Sequence, residues 1–207
     1  MACSGGVSGF MQLDIPTGDF AGYIFDLDGT LVNTMPLHYV AWRDTLREFG
    51  LNRDLDEELF YSLGGVPAVK VADIFNRHHG TDFEPIALRE VKERRFTALL
   101  PEAPLIAPVV EIARRVAKTH PVSVASGGPK DVVLETLVSR GLHMLFPVVV
   151  AADDVQHGKP APDTFLLAAR HMNVPADQCL VFEDAELGIQ AAEAAGMKWV
   201  RVPRVIE

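Results

Sequence analysis

From residue 109 onward, short apolar runs alternate with amphipathic stretches, and few folds can absorb that rhythm. Residues 109–119, 129–139, 162–172 and 185–195 read as helices, and residues 121–125, 148–151, 179–182 and 198–202 as strands. Residues 22–27 add an earlier strand. Strands without a polar face must be covered on both sides, and alternation with helices makes their sheet parallel. The fold class this predicts is α/β, with a Rossmann-like parallel sheet at its core.

One long stretch breaks the alternation. Pro36 suits the first position of a helix, whose residues Tyr39, Trp42, Leu46 and Phe49 form an apolar stripe that stops at Gly50. All four, Trp42 included, read as packing residues. Residues 56–100 stay helical apart from breaks at Gly64, Gly65, Val66, Pro67 and Gly80, and the charges of residues 90–95 read mostly as a solvated face with i,i+4 pairs, with room for one of them to reach a ligand across a cleft. Pro101 and Pro104 then end the helical unit. The expected organisation is a flexible tail over 1–21, a core formed by 22–33 and 104–207, and an inserted α-helical unit over 34–103.

Composition narrows the class. A chain of 207 residues with 48% hydrophobic content can bury one core and a modest second unit. Its net charge of -9 argues against a nucleic-acid or anionic-membrane surface, while leaving room for a local cationic pocket. The Gly/Ser-rich start lacks the pattern of a secretory signal, and no run is long enough to cross a bilayer. Cys3 and Cys179 lie far apart and read as unpaired thiols. A cytoplasmic monomer is expected.

In parallel sheets ligands bind beyond the carboxyl ends of the strands, so polar residues should gather there if the chain has a site. The first strand ends in Asp26 and Asp28, and the second runs into Ser126, Gly127 and Gly128. After the third comes Lys159, and the fourth ends in Glu183 and Asp184. Buried acids at strand ends need a cation or a reacting group. This set suits phosphoryl transfer: one carboxylate attacks phosphorus, and others offer the hard oxygen ligands that Mg²⁺ requires. A lysine and backbone N–H groups near Gly127 can hold the remaining phosphate oxygens. Simpler readings exist for two of them: Ser126 as a cap for the following helix, and Lys159 as a solvated loop lysine. His78, His79, His143, His157 and His171 share no metal-ligand spacing, so no zinc site is expected.

The string DLDGT, the later serine at a strand end, KPAPD, and ED followed by GIQAA resemble the haloacid dehalogenase-like superfamily in its β-phosphoglucomutase-like branch. The resemblance covers nearly everything from Gly22 onward and places the helical insertion where that family carries a cap. It implies that Asp26 is the nucleophile and an Mg²⁺ ligand, and that Asp28 is the general acid/base, its backbone carbonyl also binding the metal. Ser126 and Lys159 correspond to the phosphate-holding pair, Asp184 to a further metal ligand, and Glu183 stands beside it. As a proton donor, Asp28 would need a raised pKa in the substrate complex.

The cap loop carries the choice between transfer to water and transfer to a sugar. The family's mutases have a lysine and an arginine there to grip a second phosphate. Here Leu63, Gly64, Gly65, Val66, Pro67 and Ala68 put glycine and alanine at those places, which resembles the family's fructose-1-phosphate phosphatases. Substrate contacts are expected at His38, Lys92 and Gly65, although His38 also suits an ordinary polar helix position. The expected activity is Mg²⁺-dependent hydrolysis of a small sugar phosphate through an aspartyl-phosphate. A β-phosphoglucomutase-type mutase is the main alternative, and a non-catalytic sugar-phosphate-binding regulator the weaker one.

Overall fold

The computed structural model of the protein describes residues 11–205. Five parallel strands, β1 (Gly22–Phe25), β2 (Val122–Ala125), β3 (Val148–Val150), β4 (Cys179–Glu183) and β5 (Lys198–Arg201), form one sheet in the order β3-β2-β1-β4-β5. The first strand stops at Phe25, earlier than expected, because Leu31 N and Val32 N both donate to Leu27 O and curl the chain away from the sheet.

Side chains alternate across the sheet as period-two geometry demands. Phe25, Val124, Leu180, Phe182 and Val200 point into one apolar cluster with Val109, Val110 and Ala113 of α5 (Ala107–Val116) and Val133 and Leu137 of α6 (Lys130–Ser139). Ile24, Ala125, Cys179 and Val181 point into the other, against α7 (Asp163–Met172) and α8 (Glu186–Ala194). This is the doubly covered α/β sheet the sequence predicts.

Four helices, α1 (Met35–Glu48), α2 (Glu57–Ser62), α3 (Ala68–His79) and α4 (Pro85–Leu99), lie between β1 and α5 in the chain. They enclose a separate apolar cluster in which Trp42, Leu46, Phe60, Phe75 and Leu88 are buried. Pro36 and Pro85 open α1 and α4, where the N–H that proline lacks would have no helical partner. Asp56 caps α2 by accepting from Leu59 N at 2.9 Å.

Two local expectations need correction. The segment 11–21 does not hang free: Met11, Leu13 and Phe20 pack against the sheet's cluster, and Ala21 N donates to Gln178 O, because their apolar area is better buried than exposed. The rest of the expected tail, with Cys3, lies outside the described residues; Cys179 is buried and unpaired. Residues 90–95 form no i,i+4 pair among the described residues. Lys92 pairs with its neighbour Glu93 at 3.1 Å and Arg95 reaches Glu48 on α1; α4 packs along α1 and buries Lys92, while Glu90 and Arg94 stay exposed. Among the described residues, no helix is long and apolar enough to cross a membrane.

Candidate active site

The sheet's register builds the centre. Phe25 stands abreast of Phe182, and Asp26 N donates to Phe182 O at 2.9 Å, so the residue after β1 meets the last residues of β4. The chain runs from β1 to β2 on one side and reaches β4 on the other, which makes this crevice the topological switch point. Carboxylate oxygens of Asp26, Glu183 and Asp184 lie within 4.8 Å of one another there.

Lys159, 8% exposed, holds two of these acids together. Its Nζ donates to Asp26 Oδ1 at 2.7 Å and to Glu183 Oε2 at 2.6 Å. Burial alone would favour the neutral amine, but the two carboxylates outweigh it and hold the pKa above the ordinary lysine value. One cation does not balance three acids. Burial, then the charge of Glu183, raises Asp26 well above the usual carboxylate range, and the same causes raise Asp184 to about 7. A cluster of hard oxygen donors whose acids are driven to keep protons fits a divalent cation such as Mg²⁺, which would relieve that repulsion.

Two glycines are required by close approach. Gly29 has φ +85° and donates its N–H to Val32 O at 2.8 Å, and a Cβ there would meet the Asp184 carboxylate. Thr30, one residue on, donates to Asp184 Oδ1 at 3.3 Å. Gly188, in the first turn of α8, lies against Glu183, so that an added Cβ would overlap its carboxylate. Gly→Ala inside a helix normally stabilises by about 1 kcal/mol. Gly188→Ala is expected to do the reverse, displacing Glu183 from Lys159 and lowering kcat/KM by about 100-fold or more. Steady-state kinetics together with thermal unfolding would check this.

Asp28 sits apart from the three acids and accepts from Thr34 Oγ1 at 2.6 Å, with His38 Nε2 3.6 Å away. Burial would raise its pKa, but His38 and Thr34 outweigh that and hold it below the ordinary value. Without substrate, Asp28 is therefore an ionised base rather than a ready acid. His38 stacks on Phe96 with centroids 3.7 Å apart, and burial and the charge of Lys92 lower its own pKa.

These groups face a cavity of about 150 Å³ between the sheet edge and the helical unit. Asp26, Asp28, Ser126, Gly127, Glu183 and Asp184 line the sheet side, and His38, Gly65 and Lys92 the helical side. Lys159 joins this wall through Asp26 and Glu183, to which its Nζ donates. Ser126 Oγ accepts from Gly128 N at 3.0 Å and does not cap α6, whose N-cap position is Pro129. Lys92 is only 3% exposed, with its Nζ 4.9 Å from the Phe96 ring centroid and 5.9 Å from that of Trp42. Burial lowers its pKa, with Glu93 partly restoring it. Trp42 is buried as expected, yet it also lines the cavity. The sequence alone assigns no role to Thr30, Thr34 or Gly188, whose contacts with Asp184, Asp28 and Glu183 emerge only in the fold. The only signal was Thr30 and Gly188 standing inside DLDGT and GIQAA.

A parallel α/β sheet whose strand ends gather these acids around a buried lysine offers the charged and hard oxygen groups that phosphoryl transfer uses. A family model described as haloacid dehalogenase-like hydrolase matches residues 23–202, and the chain belongs to that family. It is 40% identical over 183 residues to fructose-1-phosphate phosphatase YqaB of Escherichia coli, covering 88% of this chain and 96% of that one. Among solved structures, CbbY of Rhodobacter sphaeroides in complex with xylulose-1,5-bisphosphate superposes with a TM-score of 0.78 at 26% identity, over 87% of this chain and 84% of that one. β-Phosphoglucomutase of Clostridium difficile gives 0.77 at 25% identity, over 87% and 83%.

Proposed function

We propose that the protein hydrolyses a small sugar phosphate, with fructose 1-phosphate or a close relative as the substrate class, through a covalent phosphoryl group on Asp26. The observation that carries this is the meeting of Asp26, Glu183 and Asp184 around Lys159, with Asp28 and Ser126 on the same cavity. The likeness to YqaB over nearly both whole chains supports the substrate class.

In the first step a carboxylate oxygen of Asp26 attacks phosphorus, the bond to the sugar oxygen breaks, and Asp28 gives that oxygen its proton. In the second step Asp28 takes a proton from water, the water oxygen attacks phosphorus, and the Asp26–phosphoryl bond breaks to release phosphate. Ser126, the N–H of Gly127 and Lys159 hold the phosphoryl oxygens in this scheme. The phosphate's negative charge raises the Asp28 pKa and so converts the ligand-free base into the acid that the first step needs. Asp26, Asp184 and the Asp28 carbonyl would hold Mg²⁺, with Glu183 beside them; when bound, it would neutralise charge on the transferring group. The inserted helices act as a cap that carries His38, Gly65 and Lys92 to the substrate.

Mutase chemistry is the second reading, favoured by the buried Lys92 on the cap side of the cavity. Against it, the loop from Leu63 to Ala68 holds no cation to grip a second phosphate. Release of inorganic phosphate and isomerisation, measured side by side on a sugar-phosphate panel, separate the readings. Phosphate release with no isomer is the expected result; isomerisation without release would overturn it.

Metal dependence follows from the acids. Mg²⁺ must displace the Asp184 proton and compete with protonation of Asp26, whose pKa is also raised, so its affinity is expected to fall about fivefold or more between pH 7 and pH 6. In the metal-free protein the sign for stability is fixed by the raised pKa. The folded state raises the Asp184 pKa above the ordinary aspartate value of 3.8, so this contribution is fully present below about 3.8 and lost as pH rises through about 7. The melting temperature in EDTA, wild type minus Asp184→Asn, should therefore decline across that range.

A further inference from the structure

The acids that meet a phosphoryl group lie on the sheet side of the catalytic cavity, so the rest of a substrate faces the helical side. That side is mostly apolar, with Trp42, Phe60, Leu63, Val66 and Val71 in the wall and glycines between them. A sugar brings hydroxyl protons that need acceptors, and a buried hydroxyl left unpaired costs binding. Among the described residues, His38, Lys92 and Glu93 are the ionisable side chains on this side. His38 stands 3.6 Å from Asp28 and stacks on Phe96, and an ammonium group has donors but no acceptor. The carboxylate that can receive a hydroxyl proton there is Glu93.

Glu93 has no part in the phosphoryl-transfer scheme, and its position on α4 is not that of a free surface acid. Its side chain is 20% exposed, and its Oε1 accepts from Lys92 Nζ at 3.1 Å. Burial and the charge of Lys92 lower the His38 pKa, and Asp28 and Glu93 partly restore it, so the charge of Glu93 is felt on the cavity's own imidazole. A carboxylate offers about four lone-pair sites, and one bond from Lys92 leaves most of them for a ligand. The pair also sets the charge of this wall. Lys92 is buried against Phe96 and Trp42, and alone it would be an uncompensated cation inviting a second anion. Glu93 neutralises it.

We propose that Glu93 is the specificity residue of this cavity: with Lys92 it forms a neutral pair that hydrogen-bonds the hydroxyls at the uncharged end of a sugar monophosphate and turns away a second phosphate. A hydroxyl can give its proton to Glu93 and accept one from Lys92. A second phosphate meets the like charge of Glu93 and finds Lys92 already paired. This rests on the reading of the protein as a sugar-phosphate phosphatase, and adds that the far end of its substrate is neutral and hydroxylated.

The test is kcat/KM for fructose 1-phosphate, fructose 1,6-bisphosphate and phenyl phosphate, which has no hydroxyl, in the wild type and in Glu93→Gln with Mg²⁺. Ratios between substrates on one preparation cancel any loss of folded protein. In Glu93→Gln the ratio of fructose 1-phosphate to phenyl phosphate should fall about tenfold or more, and the ratio of fructose 1,6-bisphosphate to fructose 1-phosphate should rise by a similar factor, both chiefly through KM. Either ratio staying within about twofold of wild type, including a uniform loss on all three substrates, would overturn the inference and leave the phosphatase reading standing. A wild type that releases phosphate from none of the three would overturn that reading and the inference with it.

Discussion

Asp26→Asn is expected to lower phosphate release by about 1,000-fold or more while the protein still folds. The substitution preserves shape and removes the charge and nucleophilicity of the oxygen that would attack phosphorus. Folding should survive because Asp26 is held above the usual carboxylate range by burial and by Glu183, so the neutral amide relieves a repulsion. The loss should fall on kcat, because the pocket that receives the sugar is unchanged. Phosphate release measured beside urea unfolding checks both halves. Full activity would remove Asp26 from the nucleophile's place, and an unfolded variant would contradict the electrostatic account.

Lys159→Ala is expected to be the most destabilising single change at the site. Its side chain and those of its partners Asp26 and Glu183 are 3%, 8% and 2% exposed. Removing one partner of a buried ion cluster typically costs about 3–5 kcal/mol, because the remaining charges keep their desolvation penalty and lose their compensation. A drop in melting temperature of roughly 10 °C should follow. The deficit should shrink as pH falls, since Asp26, its pKa raised by burial, then binds a proton that the unfolded chain binds less tightly. The double variant Lys159→Met with Glu183→Gln should recover most of the stability, because it removes charge from both sides. It should not recover activity. A double variant as unstable as Lys159→Ala would point to lost packing against Phe165, whose ring centroid lies 4.9 Å from Nζ, rather than to electrostatics.

The acids were legible before any coordinates because a parallel sheet announces its own active edge. Once the strands are read from their apolar runs, the residues that follow them share one end of the sheet. Asp26, Asp28, Ser126, Glu183 and Asp184 were found in that way, and the structure places all of them on one cavity. The helical insertion was legible for a similar reason, since its proline and glycine breaks and the stripe from Tyr39 to Phe49 show where helices lie. What they face was not. Residues 90–95 look solvated because a charged run is usually an exposed face, yet Lys92 is buried between Trp42 and Phe96. The family resemblance pointed to Lys92 as a substrate contact, but its burial follows only from the packing of α4 along α1. Gly188 was unreadable as a constraint, because its need for no side chain comes from Glu183 on a different element.

Asp26 and Asp28 show where the division falls. The sequence by itself determined that two acids stand at the end of a buried strand, because apolar periodicity and strand order are local properties of the chain. Tertiary structure decided that they stand in opposite electrostatic surroundings. The register of β1 against β4 brings Asp26 to Glu183, Asp184 and Lys159, where burial and like charge raise its pKa. The fold of α1 brings Thr34 and His38 to Asp28, and their hydrogen bond and nearby positive charge lower its pKa. A pKa is set by the charges and donors within a few ångströms, and the chain's order does not state which those are.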